Sequence, residues 1–104
     1  MSASVYAFIS ELIRDANQIG SLGDFEKRRM LERAATTIRD MGEQIGVALS
    51  TTVRDAVIDI QTTAALIERG YVSNEHVKKT MLEAAEMMRT LKTVLEAKDE
   101  VTKQ

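Results

Sequence analysis

The chain contains no cysteine, no proline and few aromatic residues. Without cysteine it can form no disulfide, thiolate metal site or cysteine nucleophile, and this composition fits a reducing compartment, so we expect a cytoplasmic protein. Proline is the commonest helix breaker, and its absence favours long helices. With two tyrosines, two phenylalanines and no tryptophan, the core must consist of Leu, Ile, Val, Met and Ala, which suits closely packed helices.

A dominant charge and long apolar runs are also missing. The net charge of −2 lacks the basic excess that is typical of nucleic-acid binders, so we expect no nucleic-acid partner. No uncharged apolar run is long enough for a membrane helix, so we expect no membrane association. The single histidine and the scattered carboxylates form no ligand set, and we expect neither a metal nor a cofactor. The remaining composition is ordinary for a globular protein and predicts one domain over 1–104.

Two segments of the chain, 20–45 and 70–95, share one design. Each opens with a glycine, follows with a basic cluster, and continues with Met-Leu-Glu and then an Ala-Ala pair. The Ala-Ala pairs lie 50 residues apart, whereas the Met-Leu-Glu blocks lie 51 apart, so the two matches differ in register by one residue. The design predicts two similar helical hairpins, which arose either by duplication or by the same helix rules applied twice. The Ala-Ala pairs are 34–35 and 84–85, and the Met-Leu-Glu blocks are 30–32 and 81–83.

Apolar residues at three- and four-residue spacing predict four helices. They form one hairpin over 4–48 and a second over 52–97, and the polar tail at 98–104 is expected to fray. Gly70 is expected to end the third helix, and Ser73 to cap the fourth. The predicted fold is all-α: an antiparallel four-helix bundle built from two similar helical hairpins.

The segment 46–52 leaves an alternative open. Gly46, followed by serine and threonine residues, indicates a break and a new helix start. Against a break, apolar residues recur every eleven positions through the segment, as at Ile38, Leu49 and Ile60, which is typical of a continuous helix. The alternative fold is therefore three helices with a long continuous middle helix that completes its bundle by dimerising. We favour the break, because a helix of about 45 residues is well beyond the usual globular length.

Several apolar residues of the third and fourth helices fall outside the predicted core stripes. If they were left in water they would form an apolar patch, so we predict that they contact a second subunit or another protein. The candidate interface residues are Ile58, Leu66, Leu82, Met87 and Val94.

The acidic pair Asp55 and Asp59 stands one turn apart on the third helix. Paired carboxylates can perform acid–base chemistry, but adjacent charges at this spacing usually only solvate a helix face. We interpret the pair as a solvated edge with mild like-charge repulsion.

No catalytic constellation emerges, so we expect a protein that is not an enzyme. The predicted function is a non-catalytic interaction module, an adaptor, regulator or assembly subunit that presents helix faces to a protein partner or to itself, with a homodimer as the expected form. One alternative is histidine phosphotransfer, in which His76 accepts a phosphoryl group and Lys79, one turn later, neutralises its charge. Another is an apolar-ligand carrier whose core is a pocket.

Overall fold

Four helices make up almost all of the part of the chain that the structure describes. The computed structural model describes residues 2–46 and 51–103, and within them there is no β-strand. The helices are α1 (Ser2–Asn17), α2 (Asp24–Ile45), α3 (Thr51–Arg69) and α4 (Asn74–Lys103), and a short 3-10 turn at Ile19–Ser21 follows α1. The predicted all-α four-helix bundle is confirmed. In the part of the chain that is described, no helix combines the length and the apolar character that a membrane crossing requires.

The helix ends form where small and capping residues stand. Gly46 and Gly70 have φ angles of +92° and +74°, a left-handed conformation that glycine adopts without steric cost. They end α2 and α3, and in α4 the backbone N–H of His76 donates to Ser73 Oγ at 3.2 Å, as expected for the cap. Because α2 ends at Gly46 and a new helix begins at Thr51, the break replaces the continuous middle helix. Residues 47–50 of the ambiguous segment lie outside the described residues.

The fraying expected for the 98–104 tail stays a prediction. Helix α4 continues to Lys103, and residue 104 lies outside the described residues. Lys98 Nζ donates to the carbonyl oxygens of Gln44 (3.1 Å) and Ile45 (3.3 Å), at the end of α2. These carbonyls have no partner within their own helix, and a cation is favoured beside them. The polar composition of the tail indicated fraying, but it includes good helix formers and no breaker.

The long helices α2 and α4 lie side by side at the centre and run parallel. Lys27 near the start of α2 donates to Asn74 Oδ1 at the start of α4 at 2.7 Å, and Lys98 joins their far ends. Helix α1 packs mainly against α4, and α3 packs mainly against α2. The spatial order is therefore α1–α4–α2–α3. The first helix of each hairpin packs on the second helix of the other hairpin. The resulting molecule is flattened, with extents of 50 × 25 × 17 Å.

The core lies along both sides of the α2–α4 contact. Its largest fully buried side chains are apolar, apart from Thr63 and Thr80, which face each other across α3 and α4 with their Oγ1 atoms 3.4 Å apart. Both hydroxyls donate to the carbonyl one turn earlier in their own helix, so neither is left unsatisfied. The apolar members of this set are Leu12, Leu31, Ile38, Val77, Met81 and Met88.

The internal repeat is a structural one, and its register is that of the Ala-Ala pairs. Residues 21–41 and 71–91 have the same burial class at every position when they are aligned 50 residues apart. Leu31 therefore corresponds to Met81, and both are fully buried. The Met-Leu-Glu register of 51 would align Leu31 with Leu82, which is 36 % exposed. The Met-Leu-Glu match is thus a similarity of composition without structural equivalence.

Substitutions at the repeat positions test this register. We expect Leu31→Ala and Met81→Ala each to lower the free energy of unfolding by about 2–4 kcal/mol, because each leaves a cavity in the core. Leu82→Ala should change it by less than about 0.5 kcal/mol, as is usual at surface positions. Chemical denaturation followed by circular dichroism measures all three. A loss at Leu82 as large as that at Leu31 would restore the register of 51.

The left-handed glycine that ends α3 permits a second test. An added Cβ meets no atom within 4 Å at either Gly70 or Gly20, so steric space does not distinguish the two positions. Only Gly70 has a positive φ, and we expect Gly70→Ala to cost about 1–2 kcal/mol. Gly20→Ala is the control and should leave stability unchanged or raise it by up to about 1 kcal/mol. Equal effects in thermal and urea unfolding would contradict this account of the α3 end.

Candidate functional site

An open groove runs along the surface between α3 and α4, and we call it the α3/α4 groove. It exists because α3 packs mainly on α2, which leaves the side of α3 that faces α4 only partly covered. Its floor is apolar and its rim is acidic. The α3 wall is formed by Thr52, Asp55, Ala56, Asp59 and Ile60, and the α4 wall by Thr80, Glu83, Ala84 and Met87.

The floor of the groove is the edge of the hydrophobic core. Ile60 and Ala84 are each 2 % exposed and belong to the core itself. Ala56 and Met87 are half-buried, and Met87 packs against the core from outside. Two alanines facing each other leave a depression that larger side chains would fill. A ligand in the groove would therefore contact the core directly.

The rim carries three carboxylates. Asp55 and Asp59 stand on α3, and Glu83 stands on α4 opposite them. None of the three forms a salt bridge within the described part of the chain, where the ion pairs involve other acidic residues. The sequence interpretation of Asp55 and Asp59 as a solvated edge describes their exposure, but it missed Glu83 on the facing helix. Three carboxylates thus border one apolar floor, and Glu83 also borders the depression on the outer face of α4 that contains Lys78 and Lys79.

The corresponding region of the first hairpin is covered by its own side chains. Phe8 of α1 is 5 % exposed, and the Arg33 guanidinium of α2 lies over its ring at 4.2 Å. Arg33 Nη1 also lies 3.3 Å from Glu11 Oε1 and forms a salt bridge with it. A cation over an aromatic face and beside a carboxylate is a favourable arrangement. Among the described side chains, Arg33 thus covers the Phe8 ring between α1 and α2, and Arg33 and Thr37 also border an open depression beside α2.

The repeat shows what the second hairpin lacks. Position 83, which is 50 residues after Arg33, holds a glutamate. The first helices align 51 apart, since buried Ile9 and Ile60 correspond, and this alignment places Asp59 where α1 has Phe8. The covering pair of the first hairpin is thus replaced by two carboxylates, and the α3/α4 groove stays open.

One of the five predicted interface residues, Met87, lines this groove. Val94 follows Met87 by one heptad on α4, and Leu66 follows Asp59 by one heptad on α3, so both lie beyond the residues that line the groove. Val94 is 42 % exposed, whereas Leu66 and Met87 are half-buried. The spacing in the sequence predicted that Leu66, Met87 and Val94 lie outside the core stripes of α3 and α4. It did not show how these two helix faces are arranged relative to each other.

The other two predicted interface residues lie elsewhere. Ile58 is 52 % exposed and stands on the outer face of α3, away from the core. Leu82 lies in a shallow depression on the outer face of α4, beside Lys78, Lys79 and Glu86. The structure therefore places one predicted interface residue in the groove, two beyond the residues that line it and two on outward-facing surfaces.

Two exposed aromatic residues were missed by the sequence analysis. Phe25 is 67 % exposed and Tyr71 is 76 % exposed, and both lie at the end of the bundle where α2 and α4 begin. Neither falls on an apolar stripe, because one occupies the first turn of a helix and the other a loop. Large aromatics beside helix starts were the available signal, but stripe analysis does not detect it.

His76 lies in the first turn of α4, at one end of the α3/α4 groove. Its Nε2 atom is 3.4 Å from Thr63 Oγ1, and Thr63 in turn approaches Thr80. The neighbours that the structure gives the imidazole are thus hydroxyl groups. Within the described residues no group of three or more His, Asp or Glu side chains is placed to hold a metal ion. The concavities on the surface, including those beside α4, are open to solvent.

Comparisons of the chain with protein-family models, with curated proteins and with solved structures found no match in any of the three. The function must therefore be inferred from the geometry and charges of this chain. The strongest features are the α3/α4 groove and its contrast with the equivalent position of the first hairpin, where Arg33 covers Phe8.

One titratable group at the opposite end of the bundle is clearly perturbed. Tyr6 OH donates a hydrogen bond to Glu96 Oε2 at 2.9 Å and so ties α1 to α4. This hydrogen bond raises the pKa of Tyr6 above its ordinary value of 10.0, and desolvation and the negative charge of Glu96 act in the same direction. The protonated phenol is thus favoured by the folded state.

Titration of this tyrosine tests the α1–α4 tie. In a Tyr71→Phe background, Tyr6 should ionise above pH 10.0 in the folded protein, and Glu96→Ala should lower the midpoint. The stability from this contact is complete below the unfolded pKa and is lost as pH rises through the folded pKa. Ultraviolet absorbance of tyrosinate gives the midpoint, with Glu86→Ala as the control on the same helix. Identical midpoints with and without Glu96 would show that the contact is absent in solution.

Proposed function

We propose that the protein is a non-catalytic interaction module that presents the α3/α4 groove to a protein partner, as an adaptor, regulator or assembly subunit does. The observation that carries this proposal is the uncovered groove itself. It joins an apolar floor to three carboxylates that form no salt bridge within the described residues, at the position where the first hairpin has the Phe8 ring covered by Arg33. A surface of this kind gains more from a partner than from water.

The energetics of the groove support binding. Burial of apolar surface contributes roughly 25 cal/mol per Å², and the groove offers a contiguous strip, unlike isolated surface residues. Both walls are helices anchored in the core through Ile60 and Ala84, so the surface is held in place before a partner arrives. Preformed surfaces lose little conformational entropy on binding.

Mutual repulsion among the rim carboxylates supports the same proposal. Asp55 and Asp59 are one turn apart, and Glu83 faces them from α4. Like charges at this spacing destabilise the free protein slightly, by a few tenths of a kcal/mol per pair. A partner that brings positive charge relieves this repulsion on binding. Such residues are easier to explain in a binding surface than as contributors to the fold.

Site-specific photocrosslinking in cells of the source organism tests the proposal. A photoreactive amino acid at Met87, in the groove, should give a covalent adduct of discrete mass with another protein. The same amino acid at Arg29 or Arg39, on exposed positions of α2, is the matched control and should give none. Adducts of the same pattern from all three positions, or none from Met87, would contradict the proposed surface.

A further inference from the structure

We propose that the α3/α4 groove receives an amphipathic helix of another protein, with arginine or lysine side chains flanking an apolar stripe. This inference rests on the proposed function and specifies the chemistry of the partner. It follows from the shape of the groove, from its charge and from the contact between Phe8 and Arg33 at the equivalent position of the first hairpin.

The shape of the groove selects a helix over an extended strand. An added strand needs free backbone donors and acceptors along a sheet edge, and the described residues contain no strand. The groove walls are two antiparallel helices whose backbone groups are already paired within each helix. A partner helix also satisfies its own backbone and needs from the groove only side-chain contacts.

The length of the apolar strip indicates the size of this helix. The residues that line it extend from Thr80 to Met87 on α4 and from Thr52 to Ile60 on α3. At the rise of a helix this corresponds to about 10–12 Å, or two turns of a partner helix. Apolar anchors at i, i+3 or i+4 and i+7 on the partner would follow such a strip.

The charge of the groove selects a basic partner. Asp55, Asp59 and Glu83 form a rim of negative charge with no salt bridge of its own within the described chain. In the first hairpin the equivalent space contains a guanidinium, which contacts an aromatic ring at 4.2 Å and a carboxylate at 3.3 Å. We infer that the partner supplies what this hairpin lacks, a cation that reaches the rim carboxylates while its helix covers the floor.

The repeat also provides the sharpest variant. The double substitution Asp59→Phe/Glu83→Arg introduces a phenylalanine and an arginine at the positions that correspond to Phe8 and Arg33 of the first hairpin. We expect it to close the α3/α4 groove from within. The control Asp40→Phe/Glu43→Arg makes the same chemical changes at exposed positions of α2, so both variants change the net charge equally. Circular dichroism and urea unfolding check that each variant is folded.

The probe is a synthetic helical peptide of about 16 residues, with leucines at heptad spacing and arginines on both sides of them. A matched peptide has glutamate in place of each arginine. Fluorescence anisotropy with the full chain at roughly 0.1 M salt measures binding, because stronger screening would mask the charge effect. We expect a Kd of about 10–100 µM for the arginine peptide and binding at least about tenfold weaker for the glutamate peptide.

The variants decide between specific docking and general attraction. Binding of the arginine peptide should weaken at least about tenfold in the Asp59→Phe/Glu83→Arg variant and remain within about twofold in the Asp40→Phe/Glu43→Arg control. The methyl signal of Met87 should shift on binding. Equal loss in both variants, equal binding of both peptides, or shifts confined to the Phe25 and Tyr71 end would overturn the inference.

Sedimentation at two protein concentrations tests the other possible occupant of the groove, a second copy of this chain. If the chain dimerises and the Asp59→Phe/Glu83→Arg variant alone is monomeric, the groove is occupied by a second copy, which overturns the basic partner helix. The two proposals fail differently. A crosslinked adduct at Met87 without binding of the arginine peptide rejects the partner chemistry and leaves the interaction module standing. The absence of any adduct rejects the module itself.

Discussion

The contact between the two long parallel helices determines the rest of this structure. Helices α2 and α4 present equivalent apolar faces, and their residues Leu31 and Met81 have the same depth of burial at equivalent positions. Parallel packing of two like helices is compatible with an approximate two-fold relation between the hairpins. Under that relation α1 covers α4 while α3 covers α2, as the structure shows. Neither hairpin encloses a core alone, because each supplies the cover of the other. The burial pattern repeats at an interval of 50 residues for this reason.

The approximate symmetry also explains why a groove is present beside α4. Packing of α3 on α2 leaves a space beside α4, as packing of α1 on α4 leaves one beside α2. In the first hairpin Phe8 lies in this space with Arg33 over its ring, and in the second the space is lined by Asp59 and Glu83. The two hairpins thus differ in charge and in side-chain volume at equivalent positions, while the backbone architecture is the same.

Local patterns in the sequence predicted the helices well, but they do not predict contacts between residues that are far apart in the chain. Gly70 and Ser73 act through their own backbone and side-chain chemistry, so the end of α3 and the start of α4 could be read directly. Lys98, by contrast, reaches the end of α2, a contact between residues more than 50 positions apart that no local pattern contains. The groove was only half predictable for the same reason. Met87, Val94 and Leu66 were identified as surplus apolar residues, but Ile58 and Leu82 could not be separated from them until the order of the helices was known.

The exchange of first helices between hairpins also bears on how the chain acquires its fold. Of these four helices α1 is synthesised before the others, whereas α4, which covers Leu12 and its neighbours, follows the other three. In an ordinary up-and-down bundle, adjacent helices can pair as they emerge from the ribosome. Here the apolar face of α1 remains without its main partner until α4 is complete, so assembly depends on contacts distant in sequence and is slower than in bundles of local contacts. The two hairpins share one core because α1 packs on α4. For the same reason the first hairpin cannot complete its packing until the second hairpin has been translated.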